Sequence, residues 1–292
     1  MQIEENITTL IRQRFSCRTY LREPISESKL QKLQQFIDGL PEGPFGGRPE
    51  FHLVAAENQD SQVLKDLGTY GFIQGATGFI VGSLSPGEKN LEDYGYLMEQ
   101  IILFVTSLQL GTCWLGGSFT RSSFARKINA GPDVIIPAVS SSGEMIDPEQ
   151  ARKGVLRRQV KGDQRLAWDK LFFDNNFGTS LSLEAAGAWG TPLEMLRLGP
   201  SASNKQPWRV IRRGSQFHVF LQRTRGYRES SLTRFMGIVD IQRLDTGIAM
   251  CHFELTARQL GLTGGWTVLE PAIARPDDQT EYCVTWNEYP LR

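Results

Sequence analysis

The sequence predicts an α+β protein that consists of two related halves, residues 1–157 and 158–292. The first observation behind this prediction is a repeat. The stretch DYGYLMEQIILFVTSLQLGTCW at 93–114 is followed, 152 residues later and without a gap, by DTGIAMCHFELTARQLGLTGGW at 245–266. The second observation is that helical and strand patterns are mixed without the strict alternation of an α/β fold. The third is the length of 292 residues, which can hold one large domain or two of ordinary size; the repeat favours two.

The repeat predicts the two central helices of the fold. Each copy is apolar around most of its helical circumference, contains no proline, and leads into Leu-x-Leu and a glycine-containing turn that ends in tryptophan. A helix with so little polar surface must be covered on most sides. We therefore expect each helix to be covered by the other half, in a pseudo-dimer with a pseudo-twofold axis. Seven of the 22 paired positions are identical: Asp93/Asp245, Gly95/Gly247, Met98/Met250, Leu103/Leu255, Leu108/Leu260, Leu110/Leu262 and Trp114/Trp266.

The elements of the first half follow from caps, periodicity and turn residues. Ser26 is a suitable N-cap, the apolar residues after it recur at helical spacing, and Gly39 ends that helix. The run of Val134, Ile135 and Ile136 is typical of a buried strand. The prediction for this half is helices at 4–13, 26–39, 60–67, 89–110 and 121–129, and strands at 51–56, 78–84, 113–116 and 133–140.

A basic stretch at 152–161 is the predicted junction between the halves. After it we expect helices at 163–173 and 182–197, then a loop at 199–207 that is rich in turn-forming residues. Strands at 208–212 and 216–222, the second central helix, and a final strand at 281–286 complete the second half.

The charge balance excludes partners that are recruited by a global electric field. With 32 basic and 32 acidic residues the formal net charge is zero, so we expect neither nucleic acid nor an anionic membrane as a partner. The apolar runs are shorter than a membrane span, and the N-terminal MQIEENITT lacks the basic and apolar regions of a signal peptide. A cytoplasmic location is therefore expected.

The thiols and imidazoles are too scattered to form a reactive cluster. The four cysteines (Cys17, Cys113, Cys251, Cys283) form no CxxC pair, so we expect reduced thiols. The three histidines (His52, His218, His252) offer little material for a zinc site or a Ser/His/Asp triad, and no metal is expected. If the protein is an enzyme, its reactive group therefore comes from a cofactor.

Three loops carry patterns that fit ligand binding. In RQRFSCRTY at 12–20, arginines and a serine alternate, which in an extended segment places them on one side, as phosphate binding requires. The same pattern also fits a solvated basic strand. The loop GPSASNKQPW at 199–208 combines small residues with Ser201, Asn204 and Gln206, which suits a flat ligand or an ordinary turn. The WLGG at 114–117 would expose backbone N–H groups to a ligand edge.

Together these loops resemble the motifs of the FMN-dependent nitroreductase family. The matching motifs are R-x-S-x-R at 14–18, P-S-x-x-N-x-Q-P-W at 200–208, and L-G-x-C-W-x-G-G at 110–117. In ordinary members one subunit carries all of them, and each flavin lies at a homodimer interface. Here the first half reads GPFGGRP at 43–49 where the P-S-x-x-N loop belongs, and the second half places Lys170, Phe172 and Asp174 opposite the arginine–serine motif.

The resemblance therefore implies a single-chain, tandem-duplicated branch of the family, a monomer with one composite FMN site. Arg14 and Ser16 would bind the phosphate with Arg152, while Arg18 would face flavin N1 and the C2 carbonyl, where negative charge accumulates on reduction. Gly116 would offer a backbone N–H to flavin N5, and Arg18 and Gly116 are thus the expected catalytic residues. The full set of expected FMN contacts is Arg14, Phe15, Ser16, Arg18, Gly71, Gln74, Leu115, Gly116, Gly117, Arg152, Pro200, Ser201, Ala202 and Asn204.

The function implied by the resemblance is hydride transfer from NADH or NADPH through FMN to a small electron-poor acceptor, such as a nitro compound or a quinone. One alternative is a protein that stores, senses or delivers FMN without significant turnover. Another is a specialised flavoenzyme, for example a reductive dehalogenase or a flavin-fragmenting enzyme. Segments 85–92 and 223–240 are expected over the flavin, but neither carries a motif that names the acceptor.

Overall fold

A computed structural model of the chain describes residues 3–56, 64, 67–146, 164–226 and 239–289. The chain forms two compact units, and the second contains two short pieces that are distant in sequence from the rest of it. The first unit comprises Met1–Glu42, Gly47–Asn90 and Leu97–Asp163, and the second comprises Gly43–Gly46, Leu91–Tyr96 and Gln164–Arg292. The predicted boundary at 157/158 and Arg152 lie outside the described residues, as does the predicted helix 60–67 apart from residues 64 and 67.

The first unit is built on a four-stranded antiparallel sheet with the strand order β1-β2-β4-β3. Its elements are α1 (Ile7–Gln13), α2 (Glu27–Asp38), β1 (Glu50–Ala55), β2 (Gly78–Ser83), α3 (Asn90–Ser107), β3 (Leu110–Leu115), α4 (Arg121–Lys127) and β4 (Val139–Glu144). As predicted, Ser26 and Gly39 are the N-cap and C-cap of α2. Part of the core lies where Phe79, Phe119 and Phe124 meet edge to face.

The second unit is built on a five-stranded sheet with the strand order β5-β6-β7-β9-β8. Its elements are a 3₁₀ turn (Trp168–Lys170), β5 (Phe172–Asp174), α5 (Leu183–Ala186), a 3₁₀ turn (Gly187–Trp189), α6 (Gly190–Arg197), β6 (Trp208–Arg213), β7 (Gln216–Gln222), α7 (Ile241–Gln259), β8 (Gly264–Thr267) and β9 (Thr280–Glu288). Its core contains a cluster of five aromatic rings: Trp189, Phe217, Phe253, Trp266 and Trp286.

The two sheets share one topology, which confirms the predicted duplication. The order β1-β2-β4-β3 of the first sheet recurs as β6-β7-β9-β8 in the second, and β5 is an addition at one edge. In both sheets a central helix, α3 or α7, connects the second strand to the edge strand that carries the repeated tryptophan. Both helices are buried over most of their length, as the apolar patterns predicted.

Two glycines of the repeat allow a close backbone contact inside the second unit. The segment Leu91–Tyr96 belongs to this unit and packs against the start of α7. A Cβ atom on Gly95 would lie 2.2 Å from Leu244 O, and a Cβ atom on Gly247 would lie 2.1 Å from Glu92 O. No side chain can be accommodated at such distances. The identity of these positions in the two copies therefore has a steric cause.

Three predicted elements are wrong. The strand expected at 133–140 lies at Val139–Glu144 instead, because Pro137 follows the apolar run and interrupts ladder pairing. The helix expected at 163–173 is a 3₁₀ turn followed by β5, which pairs in parallel with β6. The helix expected at 182–197 is broken at Gly187, whose φ of 56° is incompatible with a right-handed helix.

Two further predictions concern the state of the cysteines and membrane-spanning helices. All four cysteines are free thiols and buried, as expected for reduced cysteines. Among the parts of the chain that the structure describes, no helix combines the length and the apolar character that crossing a membrane requires.

Candidate functional site

The arginine–serine segment at 14–20 runs alongside the edge strand β3 of the first unit. Ser16 forms a parallel bridge with Thr112, and Cys17 N donates to Thr112 O at 2.8 Å. Further on, Gln74 N donates to the carbonyl of Arg18 at 2.8 Å, and Tyr20 N donates to Gln74 O at 2.9 Å. The segment is therefore held on one side by β3 and on the other by the turn that contains Gln74.

The side chains of this segment alternate between the core and the surface, as an extended backbone requires. Phe15 and Cys17 are buried, whereas Ser16 and Arg18 lie on the opposite, partly exposed side. Cys17 packs on Gly111, where a Cβ atom would lie 2.9 Å from the Cys17 Cβ. Burial raises the pKa of the Cys17 thiol to about 11, so it is a neutral packing residue.

A buried carboxylate joins Arg14 to the end of β3. Glu99 of α3 is fully buried, and its Oε1 lies 3.6 Å from Arg14 Nε. Its other oxygen, Oε2, accepts a hydrogen bond from Trp114 Nε1 at 2.7 Å. The Arg14 side chain is only 5% exposed. Arg14 is thus anchored by an ion pair, and Glu99 links the arginine motif to the residue just before Leu115.

Ser16 and Arg18 are the polar side chains of the segment that stay available for a ligand. Within the described residues, no acidic side chain pairs with Arg18 and no hydrogen bond engages the Ser16 hydroxyl. Because the pairing with β3 is parallel, Arg18 lies toward the Leu115 end of that strand. Gln74 is exposed beside Arg18, and Gly71 is exposed with a φ of 75°, a conformation that glycine adopts without strain.

The end of β3 opens into a glycine turn with a free face. Leu115 is buried, Gly117 is exposed, and a Cβ atom on Gly117 would meet nothing within 4 Å. Arg121 fixes this turn because its Nη2 donates to Gly116 O at 2.9 Å and its Nε to Ile136 O at 3.3 Å. Burial lowers the pKa of Arg121.

The loop at 199–207 of the second unit is closed by its own polar groups. Gln206 N donates to Ser201 Oγ at 2.8 Å, and Gln206 Oε1 accepts from Leu166 N at 2.8 Å. Asn204 Nδ2 donates to Gln164 O at 2.9 Å, and its Oδ1 accepts from Arg165 Nη1 at 3.3 Å. The segment at 164–166 therefore supports the loop from the side.

Aspartates at equivalent positions of the repeat bind the backbone of two loops. Asp245 accepts from Ala202 N at 3.0 Å, and Asp93 accepts from Phe45 N at 3.0 Å. Both contacts lie within the second unit. Burial raises the pKa of Asp245 well above its usual range, and the hydrogen bond from Ala202 partly offsets this.

Comparison with known proteins assigns this arrangement to a family. A sequence profile described as "Putative TM nitroreductase" matches residues 6–161 and 183–257, which are 231 of the 292 residues. The chain belongs to this nitroreductase family. A comparison with curated proteins gave no match.

Solved structures of nitroreductases are similar to this chain. A "putative nitroreductase" from Thermotoga maritima MSB8 has a TM-score of 0.60 and 20% identity, covering 99% of this chain and 97% of that chain. Its near-complete coverage of both chains confirms the nitroreductase fold with two halves in one chain. A second such protein from Desulfovibrio desulfuricans, in complex with FMN, has 21% identity and a TM-score of 0.40, covering 50% of this chain and 90% of that chain. An FMN and NADPH-dependent nitroreductase from a Sphigopyxis strain has 12% identity and a TM-score of 0.43, covering 57% and 97%.

One expected correspondence within the nitroreductase fold is wrong. The sequence placed Lys170, Phe172 and Asp174 opposite Arg14, Ser16 and Arg18. However, Phe172 pairs with β6, whereas Ser16 pairs with β3, and these strands lie at opposite ends of the shared strand order. The family profile also omits residues 162–182. The segment at 170–174 is therefore an addition and not a degraded copy of the motif.

Sequence reasoning missed two acidic residues that organise the predicted contacts. Glu99 was treated as part of an apolar helix, although it contacts Arg14 and Trp114. Asp245 was noted only as an identity of the repeat, although it binds the loop at Ala202. The signal for both was a charged residue inside an otherwise apolar helix, which must have a partner to be buried.

Proposed function

We propose that this nitroreductase-family protein binds FMN and uses it to pass a hydride from NADH or NADPH to a small electron-poor acceptor, a nitro compound or a quinone. The observation that carries the proposal is that the arginine–serine segment and the Leu115–Gly117 turn lie along one strand, β3. Bound FMN would supply the two-electron redox chemistry. The residues of the chain would bind it, orient it and stabilise charge around it.

The donors of the first unit suit a phosphate at one end and a flat ring at the other. Ser16 is bridged to Thr112, and Leu115 follows three residues later, which is about 10 Å along a strand. A ribityl chain joins phosphate to ring over a similar length. The Ser16 hydroxyl would bind the phosphate, and the open face at Gly117 leaves space for a ring edge. These features support FMN as the ligand.

The two arginines would have different tasks. Arg14, held by Glu99, would offer a fixed guanidinium edge to the phosphate, and Arg152 would add a second cation on the basis of the family motif. Arg18 lies toward the Leu115 end of β3, where a ring would gain negative charge on reduction. Gly116, whose carbonyl accepts from Arg121, would present its N–H to the flavin. Phe15, Gly71, Gln74 and Leu115 would complete the contacts of this unit.

On the basis of the family motif P-S-x-x-N, Pro200, Ser201, Ala202 and Asn204 would also contact FMN. One arginine–serine segment and one such loop per chain predict one FMN for each 32.8 kDa chain. A monomer is proposed because a single chain carries both motifs.

The decisive experiment combines flavin quantitation with rapid-reaction kinetics. Purified protein reconstituted with FMN should carry about one flavin per chain in a particle of 32.8 kDa by light scattering. In stopped-flow experiments, NADH or NADPH should bleach the flavin absorbance faster than it bleaches free FMN. If neither nucleotide bleaches the bound flavin faster than it bleaches free FMN, the proposed enzymatic activity is refuted. That result would favour a protein that stores, senses or delivers FMN.

A further inference from the structure

The carboxyl group of Asp245 binds the backbone of the loop at 199–207 at Ala202. Ala202 N donates to its Oδ1 at 3.0 Å and to its Oδ2 at 3.2 Å. Asp245 is 2% exposed, so its buried carboxyl group must be stabilised by hydrogen bonds within the protein. We propose that Asp245 is a positioning residue that holds the loop in the conformation needed for FMN, an inference that rests on the proposed function.

The loop needs such an anchor because its backbone is strained. Ser203, Asn204 and Gln206 have φ values of 50°, 55° and 47°. Residues other than glycine rarely adopt this region, and three of them within four positions persist only where the surroundings hold them. Asp245 holds the start of the strained stretch, and the Ser201 hydroxyl holds its end through Gln206 N.

The first copy of the repeat provides an internal comparison. Asp93 lies at the equivalent position of the first copy, 152 residues earlier, and accepts from Phe45 N at 3.0 Å. Its loop has glycines where the other has strained residues, and Gly46 carries the positive φ of 82°. A Cβ atom on Gly43 would lie 2.4 Å from Asp93 Cγ, so this loop packs directly on its aspartate. The same anchor therefore holds a loop without the P-S-x-x-N residues.

Amide hydrogen exchange in the absence of FMN tests the anchor itself. In Asp245→Ala the Ala202 amide should exchange at least about 10-fold faster, while the Phe45 amide stays unchanged. Asp93→Ala should show the reverse pattern. Asp245→Asn retains an acceptor oxygen and should restore slow exchange at Ala202. An Ala202 amide that exchanges equally in wild type and in Asp245→Ala would overturn the anchor.

FMN titration tests whether the anchor serves the flavin. Asp245→Ala should raise the Kd for FMN at least about 10-fold, whereas Asp93→Ala should change it less than about 2-fold. Equal weakening by both variants would overturn the proposal, because a general loss of stability would then explain it. If wild type binds no FMN, the proposed function fails, while the exchange experiment still decides whether Asp245 anchors the loop.

A second variant removes the donor without touching α7. Ala202→Pro deletes the N–H, and the extended Ser201 (φ −146°, ψ 158°) is compatible with a following proline at the first position of the 3₁₀ turn Ala202–Asn204. The Gln206 amide should then exchange at least about 10-fold faster, because the strained stretch loses its starting point. Unchanged exchange at Gln206 would contradict the proposal even if Asp245→Ala does not fold.

Discussion

Replacing Arg14 should affect stability and flavin binding through two separable contacts. Its Nε lies 3.6 Å from Glu99 Oε1, and the two side chains are 5% and 0% exposed. Arg14→Met keeps most of the apolar stem but removes the charge. Glu99 would then be a buried carboxylate whose contact with Arg14 is lost, although it would still accept from Trp114.

The magnitudes follow from the burial of the pair. Removing one partner of a buried ion pair costs about 3–5 kcal/mol of unfolding free energy, because the other charge remains desolvated. Neutralising both partners in Arg14→Met/Glu99→Gln should recover most of that loss, since the introduced amide oxygen can still accept from Trp114. The phosphate contact is worth about 1.5–3 kcal/mol, or about 10- to 100-fold in Kd, and the double variant cannot recover it.

Urea unfolding of the apoprotein and FMN titration together separate the two effects. The single variant should lose both stability and affinity, whereas the double variant should regain stability and remain weak in FMN binding. A single variant within about 1 kcal/mol of wild type would refute the energetic role of the Arg14–Glu99 pair. A double variant with wild-type affinity would refute the phosphate contact.

Three further predictions concern charge, packing and pH. In saturating FMN, Arg18→Ala should lower the flavin reduction potential, whereas Arg12→Ala, an exposed control, should leave it unchanged. An unchanged potential in Arg18→Ala would contradict the proposed stabilisation of the reduced flavin by Arg18. Gly247→Ala places a Cβ about 2.1 Å from a backbone oxygen and should cost about 3 kcal/mol or more, whereas Gly117→Ala should cost under about 1 kcal/mol by urea unfolding. Burial, and secondarily a neighbouring arginine, lower the pKa of His218 to about 4. As the pH falls, the unfolded chain therefore binds a proton at His218 before the folded chain does. Stability should fall by about 1–2 kcal/mol between pH 6.5 and 4, and a flat profile in wild type that matches His218→Gln would contradict this.

The parts of the fold that the sequence predicted are those with long, strongly periodic patterns. The two central helices were identified from a gapless repeat, and the steric role of Gly95 and Gly247 explains why these identities persist. The strands at 208–212 and 216–222 were also predicted, and they pair as the hairpin β6–β7, whose turn contains Gly214 with a φ of 59°.

The errors came from segments where tertiary contacts override local preference. The strand β4 contains Ser140, Ser141 and Ser142, which have little strand propensity but lie at the centre of the sheet between β2 and β3. Small residues are favoured there because Tyr20 packs closely, with its hydroxyl 2.8 Å from Ser141 Oγ. No single-segment pattern contains that information.

The sequence predicted the motif residues of the candidate site but not the buried acidic residues that bind them. The alternation of Arg14, Ser16 and Arg18 followed from the sequence, because an extended backbone places every second side chain on one face. The partners Glu99 and Asp245 did not follow from it. Glu99 lies 85 residues from Arg14 in the sequence, and Asp245 lies 43 residues from Ala202. Only the fold brings each pair together.

The inclusion of two short segments of the first copy in the second unit has a consequence for dissecting the protein. Each sequence copy is contiguous, yet the second unit includes Gly43–Gly46 and Leu91–Tyr96 from the first copy. A fragment that starts at residue 164 would therefore lack the backbone that packs on Gly247 and would leave that apolar surface of α7 uncovered. Such a fragment should be insoluble on its own and should become soluble when a peptide that includes 91–96 is supplied, so the second unit is not an autonomous module encoded by its own copy of the duplicated sequence.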